Sequence, residues 1–125
     1  MAILGTGIDI EQIDGLKKYV SDSDWLGRVF SEDELEKLGR GPNRLRTISE
    51  RFCAKEAVLK ALGTGFSKGV WLVEVVIDTA PNGRPQVTLQ GDALKYANSL
   101  GVIAWHLSIS HCDEFVAATA IAASD

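Results

Sequence analysis

No apolar run in this sequence approaches the roughly 20 residues that a membrane-spanning helix needs. The opening Met1-Ala2-Ile3-Leu4-Gly5 has neither the basic start nor the long apolar stretch of a secretory signal. Both absences lead us to expect a cytoplasmic protein. Cysteine is scarce, and the two present, Cys53 and Cys112, lack the spacing of a metal site, so they read as free thiols in a reducing compartment. There is no Gly-x-Ser-x-Gly elbow and no nucleophilic-cysteine signature. A thiol–imidazole pair of Cys112 with His111 is set aside, because adjacent residues of a strand or turn seldom point together. Excess positive charge is missing too: a formal net charge of −4 argues against general nucleic-acid binding. With no linker, low-complexity tract or exact repeat, the 125 residues are expected to form one domain, 1–125, long enough to bury a core.

What is present has a clear order. From residue 3 to 10 the pattern is β-like, with Leu4, Thr6, Ile8 and Ile10 on one face and Ile3, Gly5, Gly7 and Asp9 on the other. The glycines are expected to leave open space around Asp9, whose carboxylate is then reached by an ion or a neighbouring backbone, or caps a following helix. Helical spacing of Ile13, Leu16, Lys17 and Val20 follows over 11–20, weakened by Gly15. Ser21-Asp22-Ser23-Asp24 opens a short segment ending at Phe30, and Ser31 with Glu34 three residues on is a capping-box start for a helix to about Leu38. After Gly39-Arg40-Gly41-Pro42-Asn43, the longest helix is predicted from Asn43 or Arg44 to Leu62, closed by Gly63. Beyond a glycine loop at 63–69, strands at 71–78 and 86–90 flank the turn Pro81-Asn82-Gly83-Arg84-Pro85 as a hairpin. A helix over 91–100 and strands at 103–110 and 115–122 complete the chain. This order predicts an α+β fold, a largely antiparallel sheet packed against a long central helix.

The central helix carries Glu56 among Phe52, Cys53 and Leu59, where a carboxylate is costly unless something satisfies it. An i,i+4 pair with Lys60 would do so. So would a cation: Asp9 and Glu56, if brought together, suit Mg²⁺, which takes oxygen ligands and keeps waters and substrate phosphates. Arg40, Arg44, Arg46 and Arg51 form a local basic run suited to an anion. The glycine spacing at 63–69 follows a helix and lacks the ending of a P-loop, so a C-cap and mobile loop is the simpler reading. His106 and His111 lie five apart and point to opposite faces of a strand, which excludes a shared zinc; His111, after Ser110 in a turn, is the better candidate for a ligand contact.

These segments resemble the holo-(acyl-carrier-protein) synthase family, the small 4'-phosphopantetheinyl transferases. The matching residues are Gly5-Thr6-Gly7-Ile8-Asp9-Ile10, Arg51-Phe52-Cys53-Ala54-Lys55-Glu56-Ala57 with Lys60-Ala61-Leu62-Gly63-Thr64-Gly65, Asn82-Gly83-Arg84-Pro85, and Trp105-His106-Leu107-Ser108-Ile109-Ser110-His111. The resemblance implies transfer of the 4'-phosphopantetheine arm from coenzyme A to a serine of apo acyl carrier protein, with release of adenosine 3',5'-bisphosphate, in support of fatty acid biosynthesis. It also implies a homotrimer with active sites between subunits. Carried over by position, Asp9 and Glu56 hold Mg²⁺ and, with Lys60, form the catalytic set. Lys60 contacts the pyrophosphate and Arg51 a phosphate or the far edge of the cleft. Gly63 lies along the ligand, Asn82, Gly83, Arg84 and Pro85 border the adenine and ribose, and Ser110 with His111 approaches the nucleotide end. Arg44 and Arg46 match more loosely but suit the 3'-phosphate. The serine proton goes to Glu56 or, in the favoured reading, to a metal-bound water. One position departs from the pattern: where the family carries a carrier-docking Arg six residues after the aspartate, this chain has Gly15, with Glu11 and Asp14 nearby and Lys17, Lys18 and Arg28 to compensate. A polyketide or peptide-synthetase carrier domain is the alternative acceptor, and a non-catalytic coenzyme A-binding module the alternative class.

Overall fold

The stretch Arg44–Leu62 contains no glycine or proline, and it forms the longest helix, 19 residues closed by Gly63 in the left-handed conformation as predicted. In the computed structural model, which describes residues 1–64 and 72–125, the order is β1 (Ile3–Gln12), α1 (Ser23–Val29), α2 (Glu32–Lys37), α3 (Arg44–Leu62), β2 (Val75–Thr79), β3 (Pro85–Leu89), α4 (Gly91–Leu100), β4 (Ala104–His111) and β5 (Phe115–Ala123). Strands β1, β5 and β4 make one antiparallel sheet in that order, and β2 pairs with β3 in a separate antiparallel hairpin. The α+β class and the antiparallel sheet packed on a central helix are therefore as the sequence predicts. Among the described residues, no helix is long and apolar enough to cross a membrane.

Small residues decide how α3 meets the sheet. The inner face of β5 is Val116, Ala118, Ala120 and Ala122, all buried, and α3 sets Cys53, Ala54, Ala57, Val58 and Ala61 against the core. The closest approach is to β1. A Cβ on Gly7 would overlap the Ala57 carbonyl oxygen, and one on Gly5 the Ala61 carbonyl oxygen. The glycines thus leave no open space, contrary to expectation. They let the helix backbone fill it, because only residues without a Cβ tolerate such contact. The apolar face of β1 turns outward, leaving Ile8 66% and Ile10 65% exposed.

Two segments differ from the sequence reading. Residues 11–20 are not a helix: β1 continues through Glu11 and Gln12, which pair with Val116 and Phe115, and only a 3-10 turn at Asp14–Leu16 follows. The pairing with β5 satisfies the backbone there, and Gly15 weakens the helical alternative. The strand predicted over 71–78 begins at Val75, after a 3-10 turn at Leu72–Glu74. The glycine loop from Gly65 to Gly69, and Trp71, lie outside the described residues.

The Ser31–Glu34 capping box forms as predicted, with Glu34 N–H donating to Ser31 Oγ (3.3 Å) and Ser31 N–H to Glu34 Oε1 (3.0 Å). The same carboxylate is also a core ion pair that the sequence reading missed. Lys55 is fully buried, its Nζ donating to Glu34 Oε1 (2.8 Å) and to the carbonyls of Leu72 (3.0 Å) and Val75 (2.6 Å), while Ile77 N–H donates to Glu34 Oε2 (3.0 Å). Burial pulls the Lys55 ammonium down to about 8, against the opposing pull of Glu34. This pair ties α2 and β2 to α3.

The glycine contact is open to a direct test. Gly7→Ala is expected to destabilise the protein by about 3 kcal/mol or more in denaturant titration, since backbone rather than a flexible side chain stands in the way. Gly27→Ala, in α1 with nothing within 4 Å of the added carbon, is expected to stabilise by up to about 1 kcal/mol.

Candidate active site

Strand alternation places Gly5, Gly7, Asp9 and Glu11 on the face of β1 that meets α3, and the glycine contact brings that face close to Ala57, Lys60 and Ala61. The sequence-predicted trio Asp9, Glu56 and Lys60 is assembled there. Asp9 is only 8% exposed; its Oδ1 accepts from Lys60 Nζ at 2.9 Å, while its Oδ2 is buried and receives no hydrogen bond. Lys60 Nζ also donates to the Ile8 carbonyl at 3.0 Å. Among the ion pairs formed, Lys60 is joined to Asp9 and not to Glu56, so the helical i,i+4 pair is not what satisfies Glu56.

The electrostatics record crowding of like charge. Burial first, then the negative charge of Asp9, pushes the half-buried Glu56 carboxyl up, with Lys60 pulling it back. Glu11 is pushed up to about 8 by burial, by a hydrogen bond with Asp9 and by the charges of Asp9 and Glu56, again against Lys60. The hydrogen bond to Asp9 leads the causes that raise Lys60. Glu11 was not among the residues predicted for the site. Its signal was available: two residues beyond Asp9 on a strand, it shares the face, and it was lost because the strand was expected to stop at Ile10. Burial also drives the Cys53 thiol up, its Sγ lying 3.3 Å from the Asp9 carbonyl oxygen; Cys112 is exposed.

Among the described residues, no three carboxylate, imidazole or thiol groups already surround one point as a finished metal cage. The donor set nevertheless fits a hard cation. Mg²⁺ typically uses one or two carboxylates and completes its shell with waters and phosphates, and Asp9 offers a buried oxygen lacking a donor beside Glu56.

The residues predicted for nucleotide contacts lie around the β2–β3 hairpin. Asn82 Oδ1 accepts from Arg84 N–H (3.1 Å), and Gly83 takes positive φ to complete the turn. A groove of about 530 Å³ runs between Asn82, Arg84 and Pro85 on one side and Trp105, His106 and Ser108 of β4 on the other. A second, of about 290 Å³, lies between Gly83, Pro85 and Thr79 of the hairpin and Glu50 and Arg51 of α3. Arg51 donates to Thr79 Oγ1 at 2.9 Å. Ser110 and His111 are exposed at the end of β4, with His111 Nδ1 3.8 Å from Glu50, an ion pair when the imidazole is protonated. The basic run does not form one cluster: Arg44 reaches the Gly39 carbonyl (3.4 Å) and lines a different groove with Arg40, and Arg46 pairs with Glu50 (3.4 Å). Gly63 caps α3 one turn beyond Lys60.

The arrangement is a long helix presenting a carboxylate and a lysine to a glycine-rich strand of an α+β fold. The sequence profile described as the 4'-phosphopantetheinyl transferase superfamily matches residues 5–120, and the chain belongs to that family. It is 43% identical over 125 residues to a holo-[acyl-carrier-protein] synthase of Natranaerobius thermophilus, covering 98% of this chain and 99% of the relative. With that of Vibrio parahaemolyticus the identity is 40% over 123 residues, covering 97% and 98%. The crystal structure of a holo-(acyl-carrier-protein) synthase from Bacillus anthracis, in complex with CoA (3',5'-ADP), superposes with a TM-score of 0.82 at 30% identity, covering 98% of each chain.

A carboxyl raised by burial costs stability where it must be ionised, and the cost grows as pH rises above the ordinary carboxylate range. Glu56→Gln is therefore expected to unfold at higher denaturant concentration than wild type in metal-free buffer at pH 7, with the difference shrinking toward pH 4.

Proposed function

We propose that this chain is a Mg²⁺-dependent holo-(acyl-carrier-protein) synthase of the cytoplasm. It transfers the 4'-phosphopantetheine arm of coenzyme A to a serine of apo acyl carrier protein in support of fatty acid biosynthesis. Family membership gives the reaction class, and the observation that carries the site is Asp9: a buried carboxylate with one oxygen on Lys60 and the other lacking a donor, beside Glu56.

Asp9 and Glu56 would hold the cation. When bound, Mg²⁺ supplies charge stabilisation to the phosphate oxygens. Lys60, its side chain 53% exposed, is free to turn from Asp9 toward the coenzyme A pyrophosphate. The serine hydroxyl gives its proton to Glu56 or to a water held at the carboxylates as its oxygen attacks the β-phosphorus, the bond from that phosphorus to the bridging oxygen breaks, and adenosine 3',5'-bisphosphate departs with the electron pair. Lys60 meets the charge that builds on the departing phosphate. The glycine contact and the buried faces of α3 fix Asp9 and Glu56, so that little reorganisation accompanies the reaction.

The grooves beside Asn82, Gly83, Arg84 and Pro85 would take the adenosine end, with Arg51, Ser110 and His111 at their edges and Arg44 and Gly63 further out. Neither groove is lined by Asp9, Glu56 or Lys60. A homotrimer with each active site between neighbours would join one subunit's carboxylates to the next subunit's hairpin, and would cover the outward apolar face of β1. The groove of about 390 Å³ lined by Gly15, Lys18, Tyr19, Trp25 and Phe52 opens beside Glu11 and would receive the carrier protein.

Catalytic amounts of the protein with coenzyme A and Mg²⁺ are expected to raise the intact mass of apo acyl carrier protein by one phosphopantetheine group. Asp9→Asn and Glu56→Gln, both folded, should slow this at least about 100-fold. No mass gain by wild type, or full activity in both variants, would contradict the assignment, and comparing several apo carrier domains identifies the acceptor.

A further inference from the structure

We propose that the buried Glu34–Lys55 pair is a positioning device for coenzyme A, setting the β2–β3 hairpin at the distance from α3 at which Asn82, Gly83, Arg84 and Pro85 meet the adenosine end. This rests on the reading of that hairpin as the adenosine side. A two-stranded hairpin has no third strand to hold it. In that place Lys55 Nζ donates to the carbonyls of Leu72 (3.0 Å) and Val75 (2.6 Å), just before and at the start of β2, and Ile77 N–H, in the middle of the strand, donates to Glu34 Oε2 (3.0 Å). Arg51, one turn before Lys55 on α3, donates to Thr79 Oγ1 (2.9 Å) at the far end of the strand. β2 is thereby fastened at its start, middle and end.

The position so fixed is passed to the turn. Ala80 N–H donates to the Arg84 carbonyl (2.8 Å), Gly83 N–H to the Ala80 carbonyl (2.9 Å) and Arg84 N–H to Asn82 Oδ1 (3.1 Å), so residues 80–84 move with β2 as one unit. The groove of about 290 Å³ beside Gly83 and Pro85 has α3 as its other wall, at Glu50 and Arg51, and the spacing of hairpin from helix is its width. Apolar packing alone does not set that spacing, because a cavity of about 110 Å³ lined by Phe30, Glu34, Arg51 and Ile77 lies beside the pair. Stability does not call for the pair either, since apolar residues of like volume often serve a core as well as a buried ion pair does. Direction does: the Glu34 carboxylate accepts from three donors, Ser31 N–H, Lys55 Nζ and Ile77 N–H, and holds each in place.

Because all three are donors, Glu34→Gln must turn its amide NH2 against one of them with no change of volume, and Glu34→Gln/Lys55→Met removes both charges together. Titration calorimetry with adenosine 3',5'-bisphosphate reads the adenosine end alone, and steady-state transfer to apo acyl carrier protein reads the reaction. Both variants should keep wild-type circular dichroism, and should weaken bisphosphate binding and raise the KM for coenzyme A at least about tenfold while kcat stays within about threefold. Should one of them fail to fold, the other decides. A loss confined to kcat, with bisphosphate affinity and KM within about twofold of wild type, is the mark of a merely structural pair and overturns the proposal. Arg84→Ala is the reference: combined with Glu34→Gln it should weaken binding by less than the product of the two single effects, since both act through one contact. If Arg84→Ala weakens binding and Glu34→Gln does not, this inference alone falls; if Arg84→Ala binds as wild type, the adenosine-side reading falls with it.

Discussion

The carbonyl oxygens of Ala57 and Ala61 occupy the space that side chains at Gly7 and Gly5 would need, so a strand and a helix touch backbone to backbone. Most of the site depends on that contact. It sets β1 close enough to α3 for Lys60 to reach Asp9 and the Ile8 carbonyl, and it buries Asp9 without burying a large side chain beside it. The alanines of β5 extend the same logic, since the helix can lie this near the sheet only if the strands beneath it carry little bulk.

Such proximity has an electrostatic consequence. Carboxylates that would repel in water are held together at the edge of a core, and burial first, then the neighbouring negative charge, raises the proton affinity of Glu11 and Glu56 against the pull of Lys60. Lys55, the residue before Glu56, shows the opposite solution: one cation, one carboxylate, two carbonyls, and every partner supplied within the chain. Neighbours on one helix thus divide the work. Lys55 and Glu34 fasten α3 to α2 and the hairpin, while Glu56 and Lys60 face outward with unfilled capacity for charge. Sites of this kind trade stability for function.

Much of this was legible from residue patterns. The capping box at Ser31, the glycine closure at Gly63 and the amphipathic helix over Gly91–Leu100 each depend on local chemistry, and each formed as read. Glu56 stood out because a carboxylate amid apolar residues demands a partner, Lys60 as a possible partner one turn on and Asp9 on the glycine face of the strand, while the family resemblance joined the three. What escaped depended on distant chain. Gly5 and Gly7 suggested room, and only the packed helix reveals that the room is used. The helical spacing at 11–20 lost to pairing with β5, a partner over a hundred residues away, and Glu11 was misplaced with it. Ile8 and Ile10 of β1 point outward, because the opposite face is reserved for the helix.

The account stands or falls on whether the α3–β1 junction is where metal and pyrophosphate meet. A crystal structure with coenzyme A and Mn²⁺, its metal located by anomalous scattering, tests this most directly. We predict a manganese peak in coordination distance of the Asp9 and Glu56 carboxylates, with Lys60 Nζ moved from Asp9 to the pyrophosphate. A metal bound away from both carboxylates, or a Lys60–Asp9 pair intact beside the bound pyrophosphate, would contradict it.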